Sequence, residues 1–236
     1  MALMPLHLTF GALRRGRRVV LDAASVSLPA GRGVGVIGLN GAGKTTLLMA
    51  LAGLLRNSNL KLNGLSVSEI TVGYASQNAP LPAWATVRDV FALFGTSLAA
   101  AQSACAGLRL EELLGLAVRE LTPGQKQALV AAATLMLGAD VLVLDEPFAG
   151  LDFHRAGALR AALAEAAADR TVIISAQSIT DLLEICDRFI VLRGGRVTFS
   201  GHLHDLRLSE TSQPADVERV MVDLVLGPQL EVSAER

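Results

Sequence analysis

The sequence predicts an α/β fold with a mostly parallel sheet, an antiparallel β edge and a helical insertion subdomain. Short apolar runs alternate with longer helical stretches along most of the chain, and this alternation is typical of parallel strands covered by helices on both faces. Gly194-Gly195 separates the last two strand-like runs. A Gly-Gly connection indicates a hairpin, and therefore an antiparallel edge. The third observation is the stretch 78–120, which has no strand pattern.

Each strand is predicted from a short run of apolar and β-branched residues bounded by turn residues. In chain order these runs are "HLTF", "SVSL", "VGVIG", "LKL", "VGYA", "VLVLD", "TVIIS", "RFIVL" and "RVTFS". Helices are predicted after Gly43, within 86–116, from near Thr122, over about 154–168, from near Ile179 and over "ADVERVMVDLVLG". The chain is thus predicted to contain a core at 1–77 and 121–202, a helical insertion at 78–120 and a C-terminal extension at 203–236.

The composition limits the classes of function. A net charge of -1 over 236 residues argues against a nucleic-acid partner, since such binders neutralise many phosphates. Cys105 and Cys186 have no metal-like spacing and no disulfide framework, which fits a reducing cytosolic compartment. The mean hydropathy of +0.45 is high, but the longest apolar runs, at 47–55 and 128–139, are shorter than the ~18–20 residues of a membrane span. We therefore expect a soluble chain.

The stretch "GLNGAGKTT" predicts a phosphate-binding loop between a strand and a helix. Gly38 is followed, after four residues, by Gly43-Lys44-Thr45. Backbone N–H groups of such a loop wrap phosphate oxygens, and the helix adds its positive dipole end. Lys44 supplies a charge for the outer phosphates, and the Thr45 hydroxyl is a hard oxygen ligand suited to Mg²⁺. The other predicted contacts are Asn40, Gly41, Ala42 and Thr46. This pattern predicts a P-loop NTPase core that binds a nucleoside triphosphate.

The strand "VLVLDEP" supplies the carboxylates that such a site requires. Asp145 can hold Mg²⁺ through water, and Glu146 can orient or deprotonate the attacking water. This division suits phosphoryl transfer, in which positioning and charge stabilisation account for most of the catalysis. The alternative is that Glu146 forms only a structural ion pair.

With "GLNGAGKTT", "LTPGQKQ", "VLVLDEP" and "AGLD" in this order, the chain resembles the ATP-binding subunit of an ABC transporter over about residues 6–202. The resemblance implies ATP and Mg²⁺ as ligands, ATPase activity, and two subunits that close head to tail around ATP. It also implies that Gln77, in "YASQN", links Mg²⁺ to the helical insertion. Asp152, in "AGLD", is implied to lie in a loop that crosses between subunits.

The signature "LTPGQ" departs from the family's usual Leu-Ser-Gly-Gly-Gln at two positions. Thr122 keeps the hydroxyl, while Pro123 removes one N–H at a helix start, where proline is well tolerated. By resemblance, Thr122, Gly124 and Gln125 contact the γ-phosphate of ATP held by the other subunit. Thr122 and Gln125 also fit a capping box, and the two interpretations are compatible.

Gln177 stands where the family has a phosphate-sensing histidine. Aligning "TVIISAQSITDLLEICDRFIVL" by its strand and by the following "CDR" gives this position, and none of His7, His154, His202 and His204 lies at a comparable strand end. A Gln amide donates a hydrogen bond but cannot become charged. We therefore expect a role in catalysis with hydrolysis slowed but not abolished. The alternative is a Gln that simply ends the strand in solvent.

Two further stretches concern the base and the membrane partner. The family stacks an aromatic side chain on adenine, but the loop here is "GALRRGRR". Arg14 or Arg15 can stack a guanidinium on the base; alternatively the loop is merely solvated. The base is therefore not selected strongly, and we expect GTP to serve nearly as well as ATP. Trp84, in "LPAWATVRDVFALF", either anchors a membrane-spanning partner or caps the core of the insertion.

The predicted function is that of an ATP-hydrolysing energy-coupling subunit of an ABC transporter, of the export type. It would work as a nucleotide-sandwich homodimer, or as half of a heterodimer, on separate permease subunits at the cytoplasmic side of the cell membrane. The compact insertion and the C-terminal "ADVERVMVDLVLG" resemble subunits that pair with export-type permeases. Two alternatives stay open: a weakly hydrolysing, nucleotide-gated regulatory subunit, and a soluble ABC ATPase not involved in transport.

Overall fold

The computed structural model describes residues 4–56, 58–97, 107–206 and 214–226. Its strands are β1 (Leu6–Phe10), β2 (Leu13–Arg15), β3 (Arg18–Leu21), β4 (Ala24–Leu28), β5 (Gly33–Gly38), β6 (Lys61–Leu62), β7 (Leu65–Ser66), β8 (Val72–Ala75), β9 (Val141–Asp145), β10 (Thr171–Ala176), β11 (Cys186–Arg193) and β12 (Arg196–His202). Its α-helices are α1 (Lys44–Leu51), α2 (Val87–Leu93), α3 (Pro123–Leu135), α4 (Phe153–Asp169) and α5 (Pro214–Leu226).

The main sheet has the strand order β12-β11-β5-β10-β9-β8. All of its pairings are parallel except that of β12 with β11. Gly194 and Gly195 connect these two strands with φ values of +55° and +79°, the left-handed conformation that a tight hairpin requires. A second sheet, β4-β1-β6-β7, is antiparallel. The predicted mostly parallel sheet with an antiparallel edge is confirmed.

The central strands carry apolar side chains on both faces of the main sheet. Every residue of β5 and β9 is buried, as expected for parallel strands covered on both sides. Consecutive residues of β9 enter different cores: Leu144 belongs to the cluster with Leu129 of α3, and Val143 to the cluster with Leu47 of α1. Each such side chain contributes roughly 1.5–3 kcal/mol on burial. This packing fixes where the carboxyl ends of the strands lie.

Two sequence-based expectations differ from the structure. The helix predicted from near Ile179 is wrong: only residues 177–185 separate β10 from β11, and they form turns. In these turns Leu182 N–H donates to the Ile179 carbonyl at 2.8 Å and Ile185 N–H to the Leu182 carbonyl at 2.9 Å. The segment is too short for a helix with two connections. The loop predicted at 11–18 is also wrong: this stretch contains β2, which pairs with β3 in an antiparallel hairpin.

The insertion is helical in part. Helix α2 begins at a capping box in which the Thr86 hydroxyl accepts from Asp89 N–H and the Asp89 carboxylate accepts from Thr86 N–H. Two single turns of 3₁₀ helix follow at Glu111–Leu113 and Val118–Glu120. The rest of the predicted helical stretch, at 98–106, lies outside the described residues.

None of the helices in the described ranges combines the length and the apolar character that crossing a lipid bilayer requires.

Candidate functional site

A cavity of about 780 Å³ opens at the carboxyl ends of the parallel strands. Ligands of open α/β sheets bind in this position, outside the strand ends. Most of the predicted site residues line it: the nucleotide-binding Asn40, Gly41, Gly43, Lys44, Thr45 and Thr46, the metal ligand Gln77, and the catalytic Glu146 and Gln177. The structure therefore brings the phosphate loop, the loop after β8, the end of β9 and the end of β10 together around one volume.

The phosphate loop connects β5 to α1 through two glycines in left-handed conformations. Gly41 has φ +82° and Gly43 has φ +110°. A Cβ atom at Gly43 would lie 2.7 Å from the Leu21 side chain, so glycine is needed there for space as well as for conformation. Since α1 begins at Lys44, its first N–H groups lie at the cavity, where they can bind phosphate oxygens. Ala42, within the loop, is buried.

Lys44 is held at the floor of the cavity. Its ammonium donates to the Gly38 carbonyl at 2.8 Å and lies 3.3 Å from Glu146 Oε1. The side chain is only 5% exposed, so this charge is poorly screened by solvent. Gly38 thus takes part through its backbone oxygen, which orients the lysine.

The Glu146 carboxylate accepts from two amides in addition to this ion pair. Gln77 Nε2 donates to Glu146 Oε2 at 3.1 Å, and Gln177 Nε2 donates to the same oxygen at 3.0 Å. Gln177 therefore does not simply end its strand in solvent. Its amide contacts the carboxylate predicted to activate water.

The backbone of Glu146 is bonded by two residues that the sequence did not single out. Its N–H donates to Ser175 Oγ at 2.9 Å, and its carbonyl accepts from Gln127 Nε2 at 3.4 Å. Ser175 Oγ also donates to Asp145 Oδ1 at 2.6 Å. The available signal was a polar residue inside the apolar run of β10. Only the strand register, which pairs Ser175 with Asp145, shows what that residue faces.

The predicted Mg²⁺ ligands suit that ion in chemistry. The Thr45 hydroxyl and the Gln77 amide line the cavity, and the Asp145 carboxylate lies next to it at the end of β9, 2% exposed. No cluster of three or more His, Cys, Asp or Glu side chains able to hold a metal occurs among the described residues. Mg²⁺ commonly uses one or two carboxylates together with substrate phosphates and water, so a single buried aspartate fits.

The signature residues and Asp152 lie away from this cavity. Thr122 and Gln125 form the predicted capping box: Gln125 N–H donates to Thr122 Oγ1 at 3.3 Å and Thr122 N–H to Gln125 Oε1 at 2.8 Å. Pro123 is the first residue of α3, as expected. Gly124 lies against the loop before α4: a Cβ added at this position would be 2.2 Å from the Gly150 carbonyl oxygen.

Asp152 caps the N-terminus of α4. Its carboxylate accepts from Arg155 N–H at 2.9 Å and pairs with the Arg155 guanidinium. The backbone hydrogen bond from Arg155 is the main reason that the pKa of Asp152 lies below its usual range. The loop 149–152 is thus tied to α4 and faces Gly124, so these predicted contact residues form a second group within the chain.

The far end of the cavity is lined by Arg15, Arg18, Val19, Val20, Gly194 and Gly195. Arg14 does not line the cavity. Its guanidinium instead donates to the Arg17 carbonyl at 3.0 Å. Arg15 reaches Met49 Sδ at 3.2 Å. Tyr74, the only tyrosine of the chain, is partly buried in β8 and packs against the core cluster that contains Leu47. Burial, followed by the charge of Asp145, raises its pKa to about 12.

Trp84 projects from the insertion with 74% of its surface exposed. The backbone beside it is held by Val118 N–H, which donates to the Ala85 carbonyl at 2.8 Å, and by Arg119 N–H, which donates to the Ala83 carbonyl at 3.1 Å. Val87 and Phe91 fill the core of this region instead. The interpretation of Trp84 as a cap on that core is therefore not supported.

Comparison with known proteins gives a consistent result. The family model described as ABC transporter matches residues 21–149. The aliphatic sulfonates import ATP-binding protein SsuB of Delftia acidovorans is 33% identical, over 92% of this chain and 90% of its own length. The Nod factor export ATP-binding protein I of Burkholderia orbicola is 34% identical, over 89% of this chain and 75% of its own.

Two solved structures share the fold. The ATP-binding subunit of an ABC transporter superposes with a TM-score of 0.77 at 26% identity, covering 92% of this chain and 99% of that one. A bacterial Atm1-family ABC exporter with ATP bound gives a TM-score of 0.72 at 23% identity, over 91% of this chain and 41% of the exporter.

Proposed function

The chain belongs to the family of ABC transporter ATP-binding subunits, and from this premise we propose that it hydrolyses ATP to drive transport. In this proposal two copies of the chain form a nucleotide-sandwich dimer on separate membrane-spanning permease subunits. The dimer lies peripherally on the cytoplasmic side of the cell membrane.

The position of Glu146 is the observation that carries the proposed hydrolysis. Its carboxylate lines the same cavity as the phosphate loop, 3.3 Å from the Lys44 ammonium, and two amides orient it. A general base has to lie within hydrogen-bond reach of its water, directly or through one intervening molecule. A carboxylate held beside the outer-phosphate lysine meets this requirement for water that attacks a γ-phosphate.

The chain's own groups divide the remaining tasks. The N–H groups of the phosphate loop and of the α1 N-terminus bind the phosphate chain, and Lys44 neutralises charge on its outer oxygens. Thr45, Gln77 and Asp145 would hold Mg²⁺, which supplies charge stabilisation to the phosphate oxygens when bound. We propose that Gln177 orients Glu146 and the terminal phosphate as a neutral donor.

A dimer is proposed because one chain presents only half of the predicted contacts. Thr122, Gly124, Gln125 and Asp152 do not line the cavity of their own chain. They lie together at the starts of α3 and α4. A second copy that closes head to tail would bring these groups over the nucleotide, so that ATP itself joins the subunits.

The direction of transport stays a prediction. The relatives above are named for import in one case and for export in the other, so family membership alone does not assign it. The compact insertion supports export, and the exposed Trp84 supports a docking role for the insertion towards a permease.

The direct test of the proposed function uses the purified chain. We expect Mg²⁺-dependent phosphate release from ATP, and a shift to the dimer in size-exclusion chromatography when ATP is present without Mg²⁺. From solubilised membranes, a tagged chain should co-purify with a hydrophobic permease subunit. A chain that neither releases phosphate nor dimerises with ATP would contradict the proposal. Phosphate release by the purified chain, together with no hydrophobic subunit co-purifying from membranes, would favour the soluble ABC ATPase.

The contact between Gln177 and Glu146 favours a second candidate function. The Gln177 amide is a neutral donor, so its bond to the Glu146 carboxylate lacks the positive charge that a protonated histidine would bring. A chain of this kind can close on ATP and hydrolyse it slowly, as a nucleotide-gated regulatory subunit paired with a more active one. The ATPase rate of the isolated chain separates the two functions.

Gln177→His is expected to raise kcat about fivefold, because an imidazolium donor carries a positive charge towards the carboxylate and the phosphate, whereas the amide donor is neutral. The gain should be larger below pH ~6.5, where histidine is protonated, and smaller above it. Steady-state phosphate release from pH 6 to 8 measures the effect. Gln177→Ala, which removes the hydrogen-bond donor altogether, is the matched control. A Gln177→His variant no faster than wild type at any of these pH values would show that this position does not limit turnover.

A further inference from the structure

We propose that Ser175 is a positioning residue for hydrolysis: its single hydroxyl holds the backbone of Glu146 and orients the carboxylate of Asp145. The catalytic part of this inference rests on the ATPase function proposed above. Ser175 does not itself line the cavity, and the hydrogen bonds described for its hydroxyl go to Glu146 and Asp145, so it acts through these two neighbours.

The geometry requires a group that both donates and accepts. Ser175 Oγ accepts from Glu146 N–H at 2.9 Å and donates to Asp145 Oδ1 at 2.6 Å. A hydroxyl carries one donor and two acceptor lone pairs, so it can do both at once. The residue is fully buried, so solvent does not compete for either bond. Alanine or valine would leave the Glu146 N–H and one Asp145 oxygen without this partner.

The first bond acts on a strained residue. Glu146 has φ +48°, in the left-handed region that residues with a Cβ rarely adopt. Such a conformation persists where the surroundings determine it. At this point β9 has ended, and the N–H of Glu146 bonds a side chain of the neighbouring strand β10. Ser175 therefore sets the direction in which the Glu146 side chain leaves the strand, towards Lys44.

The second bond acts on the predicted metal ligand. A hydroxyl-to-carboxylate bond of 2.6 Å is short and charge-assisted. It fixes the rotation of the Asp145 carboxylate and therefore the direction of its second oxygen. The parallel register that places Ser175 opposite Asp145 is what makes one hydroxyl serve both residues.

This arrangement predicts a selective loss when the hydroxyl is removed. Ser175→Ala should lower kcat about tenfold, because Glu146 loses its fixed direction. The gain in ADP affinity that Mg²⁺ gives should fall by about threefold. Affinity for ADP in EDTA should stay unchanged, since phosphate binding there depends on the loop between β5 and α1.

Three variants separate positioning from packing. Ser175→Cys keeps the shape of the side chain but has only a weak donor and a weak acceptor. It should therefore lose kcat and the effect of Mg²⁺ on ADP affinity as Ser175→Ala does. If one of these two variants folds poorly, the other still tests the role of the hydroxyl. Ser175→Thr keeps the hydroxyl and should restore activity. Ser178→Ala is the matched control: its hydroxyl bonds Thr180 Oγ1 at 2.6 Å, and its loss should change neither kcat nor the effect of Mg²⁺.

Hydrogen exchange of the Glu146 amide gives a readout that does not need hydrolysis. In wild type this amide is bonded to a buried oxygen and should exchange slowly. In Ser175→Ala the Glu146 amide should exchange at least about tenfold faster, while the amide of Ile174, in the pairing of β10 with β9, stays protected. A wild type without ATPase activity would overturn the proposed function, yet exchange and Mg²⁺ dependence would still decide the role of Ser175. Unchanged exchange of the Glu146 amide together with kcat within twofold of wild type would overturn this inference.

Discussion

Glu146→Gln is expected to lower kcat for ATP hydrolysis by about a hundredfold or more, the usual range for loss of a general base. The amide cannot accept a proton, and it cannot form the ion pair that Glu146 Oε1 makes with the Lys44 ammonium at 3.3 Å. Its carbonyl oxygen can still accept from Gln77 and Gln177, which donate at 3.1 Å and 3.0 Å. The variant should therefore fold normally and bind nucleotide.

If the Glu146→Gln variant binds ATP but does not hydrolyse it, Glu146 acts in catalysis and is not only a structural ion-pair partner. The Glu146→Gln chain should accumulate as an ATP-bound dimer in the presence of Mg²⁺, where wild type turns over and separates. Phosphate release and size-exclusion chromatography measure the two effects. Glu184→Gln removes an exposed carboxylate outside the cavity and should leave both unchanged. If Glu146→Gln kept most of the wild-type kcat, Glu146 would be only the structural ion-pair partner.

Gly124→Ala is expected to weaken ATP-driven dimerisation by about tenfold to a hundredfold. The added Cβ would lie 2.2 Å from the Gly150 carbonyl oxygen, so either the start of α3 or the loop 149–152 must move. Overpacking of this kind costs ~1–3 kcal/mol. Both segments carry groups that we propose to contact the partner's nucleotide, so their displacement should disturb the interface directly.

The experiment is best made in the Glu146→Gln background, where the dimer accumulates. The ATP concentration that gives half-maximal dimer should rise for the double variant, while ATP affinity of the monomer stays the same. Gly157→Ala is the matched control, because beyond its chain neighbours and the nearby backbone of its own helix no atom lies within 4 Å of its added Cβ. In helix α4 it should instead stabilise the chain by roughly 0.5–1 kcal/mol. Dimerisation as tight for Gly124→Ala as for Gly157→Ala would contradict the role of the signature.

Local patterns predicted much of the fold because they depend on neighbouring residues. The apolar run of β5, the two glycines after it and the first turn of α1 are consecutive, so a phosphate loop can be recognised from the chain alone. The same holds for the hairpin at Gly194-Gly195 and for the capping box at Thr122. In each case backbone conformation and its hydrogen-bond partners lie within a few residues of one another.

The expectations that differ from the structure concern segments whose conformation depends on the length of a connection or on tertiary packing. The turns at 177–185 replace a helix because Leu182 and Ile185 are buried against the sheet within a short connection. The β2–β3 hairpin folds over the cavity although its arginines give little strand pattern. The pairing of β2 with β3 decided the conformation of this segment.

The sequence by itself determined which groups the proposed chemistry has available: a phosphate loop with Lys44 and Thr45, carboxylates at Asp145 and Glu146, and a Gln at position 177. These follow from residue type and short spacing, and both are fully present in a linear chain. Only the tertiary structure decided that the Gln177 amide contacts Glu146 and that Ser175 joins Asp145 to Glu146. Those contacts depend on the register of β9 against β10, about 30 residues apart, which packing of both faces of the sheet sets.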